Sequence, residues 1–173
     1  MNKSKIEIGI LGGSFDPAHK GHLAISKEAR KRFKLKKIIW AITKKNPLKA
    51  VCKTPVSKRI KDCKKLIGSN TFIKVKFYED TINSNKTIDL INYLKKNKKL
   101  EIFFLMGADN LISFHKWHKS KLITEKCNII VFDRHGYKKN SLKSKTFKKL
   151  NNKTLTFVKF KKVNISSSQL RKI

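Results

Sequence analysis

The order of apolar runs and amphipathic segments predicts an α/β protein with a Rossmann-like, doubly wound parallel sheet. Short apolar runs, typical of buried strands, alternate with segments of helical period, and this alternation indicates βαβ units. The right-handed crossover rule then makes a doubly wound layer the natural architecture. A chain of 173 residues can bury a sizeable core in one unit, so we expect residues 1–173 to form a single domain.

The hydrophobic period predicts each element in the first part of the chain. Residues 6–11 form an apolar run before a Gly-Gly turn, which is typical of a buried strand. Over 22–33, apolar residues recur every four positions with Lys and Arg between them, which predicts an amphipathic helix. A second strand follows over 38–42, and a helix over 60–67 is expected to stop at Gly68.

The same alternation continues towards the end of the chain. It predicts strands over 72–77, 102–106 and 128–132, a helix over 87–97, a short helix from about Asp109 and a terminal helix over 164–173. Ligands of such sheets bind beyond the carboxyl ends of the strands. The loops expected at that edge are 12–22, 43–55 and 107–118.

The net charge of +32, from 43 Lys and Arg against 11 Asp and Glu, would by itself indicate a nucleic-acid-binding protein. The 38 Lys are spread along the whole chain, however, and they accompany many Asn, Ile and Phe, whose codons are also A/T-rich. We interpret the charge as the background of a nucleotide-biased genome. A basic nucleic-acid-binding protein stays open as the alternative from a different class.

Cysteines and apolar segments indicate the compartment. Cys52, Cys63 and Cys127 are widely spaced and form no CxxC pair, which fits free thiols in a reducing compartment and no zinc site. The sequence has no apolar run of about 18 residues, and its first apolar segment is short for a signal peptide. We therefore expect a soluble, cytoplasmic protein that does not associate with membranes.

The segment between the first strand and the first helix carries the strongest chemical signal. Gly12 and Gly13 let the backbone and its N–H groups approach a ligand. His19 and His22 are three residues apart at a helix start, where the dipole favours anions, and their rings can donate to phosphate oxygens. The alternatives are an ordinary turn for the glycines and half of a metal site for the histidines.

The residues from Gly12 to His22 resemble the GG[ST]FDPxHxGH signature of the nucleotidylyltransferase superfamily, whose HxGH histidines bind the phosphates of ATP. Ile165 to Arg171 resembles the ISSTxIR motif of the same superfamily, although a serine N-cap with a surface arginine is its plain alternative. The resemblance implies that the catalytic residues are His19, His22 and Arg171. It implies further ATP contacts from Gly12, Gly13, Ser14, Phe15, Ser166, Ser167 and Ser168.

The middle of the chain resembles the bacterial nicotinate-nucleotide adenylyltransferases within that superfamily. Phe104 to Leu111 resembles their F[IL][IML]G[AQ]D[NS]L stretch, which implies that Gly107 and Asp109 bind ATP. Four other segments resemble motifs of that family: the NPLK variant of its PPHK loop, its [SY]xTxxTL segment, its FxxW segment and a strand end with the pattern VxR[PH]G[YH]. These imply mononucleotide contacts from Asn46, Lys49, Thr87, Trp117 and Arg134. Their alternatives are a solvated lysine, a helix cap and a packed tryptophan.

The resemblance implies adenylyl transfer from ATP to nicotinate mononucleotide, with nicotinate adenine dinucleotide and pyrophosphate as products. His19, His22 and Arg171 would neutralise the triphosphate, and Mg²⁺ would arrive with ATP rather than in a protein metal site. The expected partners are these small molecules and no specific nucleic acid, with a homo-oligomer left open. Pantetheine-phosphate adenylyltransferase, which shares the two terminal motifs, is the alternative enzyme. The preference between nicotinate and nicotinamide stays open as well.

Overall fold

The computed structural model describes residues 5–45, 52–150, 153–160 and 170. Six strands in these ranges form one parallel sheet in the order β3-β2-β1-β4-β5-β6. Their bounds are β1 (Ile6–Gly13), β2 (Lys37–Ile42), β3 (Ile73–Phe77), β4 (Leu100–Gly107), β5 (Asn128–Phe132) and β6 (Leu155–Val158). The register is set around the central strand, where Ile10 pairs with Ile39 on one side and Phe104 on the other.

Helices connect the strands in the manner that the sequence predicts. They are α1 (Lys20–Phe33), α2 (Val56–Ile67), α3 (Glu79–Ile82), α4 (Thr87–Lys95), α5 (Ala108–Ser113), α6 (Ser120–Lys126), α7 (Lys138–Leu142) and α8 (Lys145–Leu150). A 3₁₀ turn over Phe114–Lys116 follows α5. The hydrophobic pattern does not reveal α3, α6, α7, α8 or β6, because elements of four to seven residues are too short to show a clear period. The predicted terminal helix over 164–173 lies almost entirely outside the described residues.

The core has two layers, one on each face of the sheet. Alternate residues of β2 point to opposite faces, so Ile38 and Trp40 pack with α1 and α2, whereas Ile39 packs with α4, α5 and α6. Both faces of the sheet are therefore buried, as expected for parallel strands that read as continuous apolar runs. The predicted doubly wound, Rossmann-like arrangement is confirmed.

Two residues with left-handed backbone end the first two helices. Lys34, with φ of 52°, follows α1, and Gly68, with φ of 50°, follows α2 and donates its N–H to the carbonyl of Lys64 at 3.4 Å. Glycine adopts this conformation without a steric penalty, which explains the stop predicted at Gly68. In Lys34 this conformation has a modest steric cost, because the side chain crowds the backbone at positive φ.

The three cysteines are free thiols, as predicted. Burial raises the pKa of Cys63 and of Cys127 to about 12 in each case, so both stay protonated and pack as small apolar side chains. Among the helices of the described ranges, none is both long enough and apolar enough to span a bilayer.

Candidate active site

The site lies where β1 and β4 end side by side in the middle of the sheet. The chain leaves β1 into α1 on one face and leaves β4 into α5 on the other face. This divergence opens a crevice at the carboxyl ends of the strands, which is where doubly wound sheets bind ligands. The edge holds the residues predicted from the loops at 12–22 and 107–118.

The two histidines build the start of α1 together. His19 is the N-cap residue, and its Nδ1 accepts the backbone N–H of Gly21 at 3.1 Å. In return, Nδ1 of His22 accepts the backbone N–H of His19 at 3.1 Å, and the two rings lie 3.8 Å apart. A ring nitrogen that accepts a hydrogen bond carries no proton, so the proton of each imidazole is on Nε2. Each ring can therefore donate from Nε2.

His19 is uncharged at neutral pH in the free protein. Burial lowers its pKa to about 4, with a smaller contribution from the nearby positive charge of Arg134. The imidazole therefore offers a phosphate oxygen a neutral N–H donor and not a full positive charge. The predicted role of His19 in neutralising the triphosphate stays a prediction.

A cluster of aromatic rings packs against His22. The three rings form a triangle, with centroid distances of 4.6 Å between Phe15 and His22, 5.0 Å between Phe15 and Trp40, and 5.9 Å between His22 and Trp40. Trp40 Nε1 donates to Ser26 Oγ at 2.8 Å, and Ser26 Oγ donates to the carbonyl of His22 at 2.9 Å. Phe15 as a whole residue is only 1% exposed, so its ring supports the site from within the core, and its predicted contact with ATP stays a prediction. Nothing in the sequence pattern marks Trp40 or Ser26 as site residues, since they fit an ordinary core strand and an ordinary helix.

The two glycines that end β1 leave room on the ligand side. A methyl group at Gly12 would lie 3.4 Å from the Phe104 ring, and one at Gly13 would lie 3.5 Å from the Phe15 ring. These are ordinary van der Waals distances, so packing within the protein does not require glycine at either position. Gly12 is exposed, in agreement with the predicted close approach of a ligand to this backbone.

The turn after β1 is held by two residues that sequence analysis did not identify as site residues. The first is Arg59, a buried residue of α2 that donates a hydrogen bond to the carbonyl of Ser14. Asp16 is 4% exposed, and its Oδ2 accepts the backbone N–H of Lys53 at 3.0 Å. Asp16 belonged to the quoted signature, but nothing in the residue pattern pointed to Arg59 among so many basic residues.

The segment after β2 is fixed by an acidic residue of α3. The side-chain hydroxyl of Thr43 donates to the Glu79 carboxylate, and the backbone N–H of Lys44 donates to the same carboxylate at 3.1 Å. Thr43 also donates its N–H to the carbonyl of Gly13 at 3.0 Å, which joins this segment to β1. Asn46 and Lys49, predicted to bind the mononucleotide, come next in the chain and lie outside the described residues.

An ion pair lies beside the histidines. Arg134 Nη1 contacts Asp109 Oδ2 at 2.8 Å, and both side chains are largely buried. A methyl group at Gly107 would come within 2.6 Å of Asp109 Oδ1, so any larger residue at this position would collide with the carboxylate. The pair places Arg134 with His19 and Asp109, which were predicted to bind ATP, although the sequence assigned Arg134 to the mononucleotide.

Trp117 packs against aromatic residues of β4 and of the 3₁₀ turn that follows α5. It is half-buried, with its ring 5.9 Å from Phe104 in an edge-on arrangement and 5.2 Å from Phe114. Phe104 also faces Gly12, so one aromatic group connects Trp117 to the end of β1. Thr87 is the first residue of α4, and this start of the helix lies at the same edge of the sheet. The N-cap residue is Lys86, which excludes the alternative that Thr87 is the cap.

The predicted ATP contacts at the end of the chain, Ser166, Ser167, Ser168 and Arg171, lie outside the described residues. Their roles stay predictions. Within the described ranges there is no group of three or more His, Cys, Asp or Glu side chains that could hold a metal ion. The donors found at the crevice are imidazole and guanidinium N–H groups, and these suit phosphate oxygens.

Comparison with known proteins agrees with this geometry. Over all 173 residues, the chain is 66% identical to a probable nicotinate-nucleotide adenylyltransferase of Pelagibacter ubique, and it covers 96% of that protein. A protein of the same name from Agrobacterium fabrum is 37% identical over 131 residues, which are 75% of this chain and 70% of that one. These matches confirm the enzyme class that the sequence motifs predicted.

The fold also matches a solved structure. Plasmodium falciparum nicotinic acid mononucleotide adenylyltransferase complexed with NaAD superimposes with a TM-score of 0.77 at 22% identity, covering 96% of this chain and 82% of that one. Residues 10–173 match the model of the cytidylyltransferase-like family. The chain therefore belongs to the cytidylyltransferase-like family and, within it, to the nicotinate-nucleotide adenylyltransferases.

Proposed function

We propose that the chain transfers the adenylyl group of ATP to nicotinate mononucleotide. An oxygen of the mononucleotide phosphate attacks the α-phosphorus of ATP and forms the new P–O bond. The bond from the α-phosphorus to the oxygen that bridges to the β-phosphorus breaks, and its electron pair leaves with pyrophosphate. The products are nicotinate adenine dinucleotide and pyrophosphate, and no covalent enzyme intermediate is needed.

The observation that carries this proposal is the pair of histidines at the start of α1. Their Nδ1 atoms are occupied by backbone N–H groups, so two Nε2–H donors are held at a helix N-terminus that already favours anions. Preorganised donors of this kind stabilise the charge that develops on phosphate oxygens during transfer. We assign the triphosphate to this end of the crevice, with Gly12, Gly13 and the backbone of Phe15 beneath it.

The other residues have roles in orienting the two substrates. The resemblance implies that Asp109 and Gly107 contact the nucleoside of ATP. Arg134, which pairs with Asp109, would then lie close to the phosphates of ATP. Trp117 presents an aromatic surface beside Phe104, which suits a flat pyridine ring. Lys49, Asn46 and Thr87 would bind the acceptor, and Arg171 with Ser166 to Ser168 would complete the phosphate contacts.

We propose MgATP as the nucleotide substrate. Nδ1 of each histidine already accepts a backbone N–H, and the Asp109 carboxylate is paired with Arg134, so these groups are not arranged to hold a magnesium ion themselves. Mg²⁺ is a hard cation that phosphate oxygens and water bind well. When bound to the phosphates, it would offset their negative charge as pyrophosphate departs.

A turnover assay with different acceptors tests the function. Purified protein is incubated with MgATP and nicotinate mononucleotide, nicotinamide mononucleotide or phosphopantetheine, and pyrophosphate release and the nucleotide products are measured. We expect pyrophosphate and nicotinate adenine dinucleotide in equal amounts with the first acceptor. Turnover with phosphopantetheine alone would overturn the assignment. The ratio of kcat/KM for the two mononucleotides gives the preference that the sequence leaves open.

A further inference from the structure

Arg59 carries a buried positive charge that no step of the proposed reaction uses. It lies in the first turns of α2 and is 2% exposed. A buried cation needs hydrogen-bond partners, because water no longer solvates it. All four of its hydrogen bonds in the described part of the chain are to backbone carbonyls: Thr54 at 2.9 Å from Nε, Ser14 at 2.6 Å and Thr43 at 2.8 Å from Nη1, and Lys44 at 3.3 Å from Nη2.

These four carbonyls belong to segments that are distant in sequence but adjacent in the site. Ser14 lies in the turn that leads from β1 to the two histidines. Thr43 and Lys44 begin the loop that contains Asn46 and Lys49, and Thr54 ends it. One guanidinium therefore fixes both ends of the proposed acceptor loop to the proposed ATP-binding turn. We call this arrangement the Arg59 clamp.

Asp16 provides a second connection between the same two segments. Burial of its carboxyl favours the neutral form, but hydrogen bonds from Thr54 and Lys53 and the charge of Arg59 outweigh burial and lower its pKa. The carboxylate accepts the N–H of Lys53 at 3.0 Å. The turn after β1 is thus tied to residues 53 and 54 from both Asp16 and Arg59, and the charges of these two residues favour each other.

We propose that Arg59 is a positioning residue that sets the distance between the α-phosphate of ATP and the phosphate of the acceptor. This inference rests on the proposed function. In-line transfer needs the reacting atoms roughly 3–3.5 Å apart, and a displacement of about 1 Å costs about 10²-fold in rate. The clamp controls this distance because its carbonyls lie both on the proposed ATP-binding turn after β1 and at the two ends of the proposed acceptor loop. It acts on turnover more than on the binding of either substrate alone.

Arginine is required for this role because of its shape. The planar guanidinium presents N–H groups in several directions, so that it reaches four carbonyls on three segments at once. A lysine ammonium keeps the charge but donates from a single point, and it cannot span the same acceptors. Arg59→Lys therefore separates the geometric role of the clamp from its charge.

The test compares Arg59→Lys with Lys61→Gln, a control that removes an exposed cation from the same helix. For Arg59→Lys we expect kcat to fall about 10²-fold, while the Kd of MgATP and that of the mononucleotide, each titrated alone, change little. Lys61→Gln should keep the wild-type kcat. A wild-type kcat in Arg59→Lys, or a loss that appears only as raised KM, would overturn the proposal.

Hydrogen exchange of the free protein gives a readout that does not depend on the acceptor. In Arg59→Lys, the hydrogen-bonded N–H groups of Thr43, Lys44 and Lys53 should lose protection together, while those of the core strand β4 keep it. Unchanged protection at these three amides contradicts the clamp. If Arg59→Lys does not fold, Arg59→Gln, which retains donors, is measured in the same way. If the wild type turns over no nicotinate mononucleotide, the proposed function fails, and the exchange data still decide on the clamp.

Discussion

In the proposed mechanism, each of the two histidines at the start of α1 uses its two ring nitrogens for different purposes. Nδ1 accepts a backbone N–H at the start of α1, and this bond fixes the proton on Nε2. The same contact that begins the helix thus prepares a donor for phosphate, without a separate residue to orient the ring. Structure and chemistry cannot be separated by removing the whole side chain, since an alanine would lose both nitrogens.

Two substitutions at His22 separate the two nitrogens. Asparagine retains an acceptor close to the place of Nδ1 but has no group at Nε2, whereas glutamine can place its amide N–H close to Nε2. We expect His22→Asn to lower kcat by about 10²–10³, the effect of losing one preorganised donor. His22→Gln should retain more of the activity. Steady-state kinetics with thermal denaturation of both variants makes the comparison.

The order of the two variants decides the role of His22. If asparagine were the more active of the two, the capping bond to the backbone of His19 would be the main contribution of this residue. Near-wild-type activity in both variants would contradict a role for His22 in phosphate transfer.

At the scale of elements, the start of α1 is sensitive to acid. Protonation of Nδ1 on His19 would turn an acceptor into a donor and break the bond from the N–H of Gly21. The pKa of His19 is about 4 in the folded protein, against an ordinary value of 6.5. Between these pH values the unfolded chain binds more protons than the folded protein, so the free energy of unfolding falls as the pH is lowered.

We therefore expect denaturant unfolding to show stability decreasing from about pH 6.5 towards pH 4, with a contribution that belongs to His19. The variant His19→Asn isolates this contribution, because asparagine is a good N-cap that does not titrate in this range. Asp16 and the other carboxylates remain in both proteins, so their effects cancel in the difference. Parallel pH profiles for the two proteins would show that His19 is not responsible.

Element order also explains why the site forms from segments so far apart in the sequence. The parallel sheet brings the ends of β1, β2, β4 and β5 to one edge, and buried side chains then connect their loops. Arg59 joins the loops after β1 and β2, and the pair of Asp109 with Arg134 joins those after β4 and β5. The crevice is therefore a property of several crossovers and not of any single motif.

For the whole molecule, the charge of +32 has consequences for how substrates arrive. Both proposed substrates and both products are anions, and a positive field raises the rate of encounter. The Debye length falls from about 30 Å at 0.01 M salt to about 8 Å at 0.15 M, so salt removes long-range attraction while leaving buried contacts intact.

We expect kcat/KM for MgATP to fall about tenfold between low and physiological salt, with kcat nearly constant. The measurement holds free Mg²⁺ fixed and repeats the series with sodium chloride and sodium acetate, which differ in the anion that could compete for a cationic site. Equal slopes for the two salts indicate screening, whereas different slopes indicate binding of a specific ion. A kcat/KM that does not depend on salt would mean that the charge of the surface plays no part in capture.

The sequence by itself determined the fold class of this protein and supplied the residues that we propose for phosphate binding. Alternating apolar runs and amphipathic helices are local patterns, since backbone geometry gives strands a period of 2 and helices a period of 3.6. The segment from Gly12 to His22 is likewise contiguous, so its residue types and their spacing were visible without coordinates. The same holds for Gly107 and Asp109, which lie two residues apart.

Only the tertiary structure decided how these residues are held and charged. The neutral state of His19 depends on burial, and the pairing of Arg134 with Asp109 depends on two neighbouring strands. Arg59 was one of 43 basic residues in the sequence, and nothing local marked it as buried. Burial and long-range hydrogen bonds arise from contacts between distant segments, and these contacts exist only once the sheet has brought the segments together.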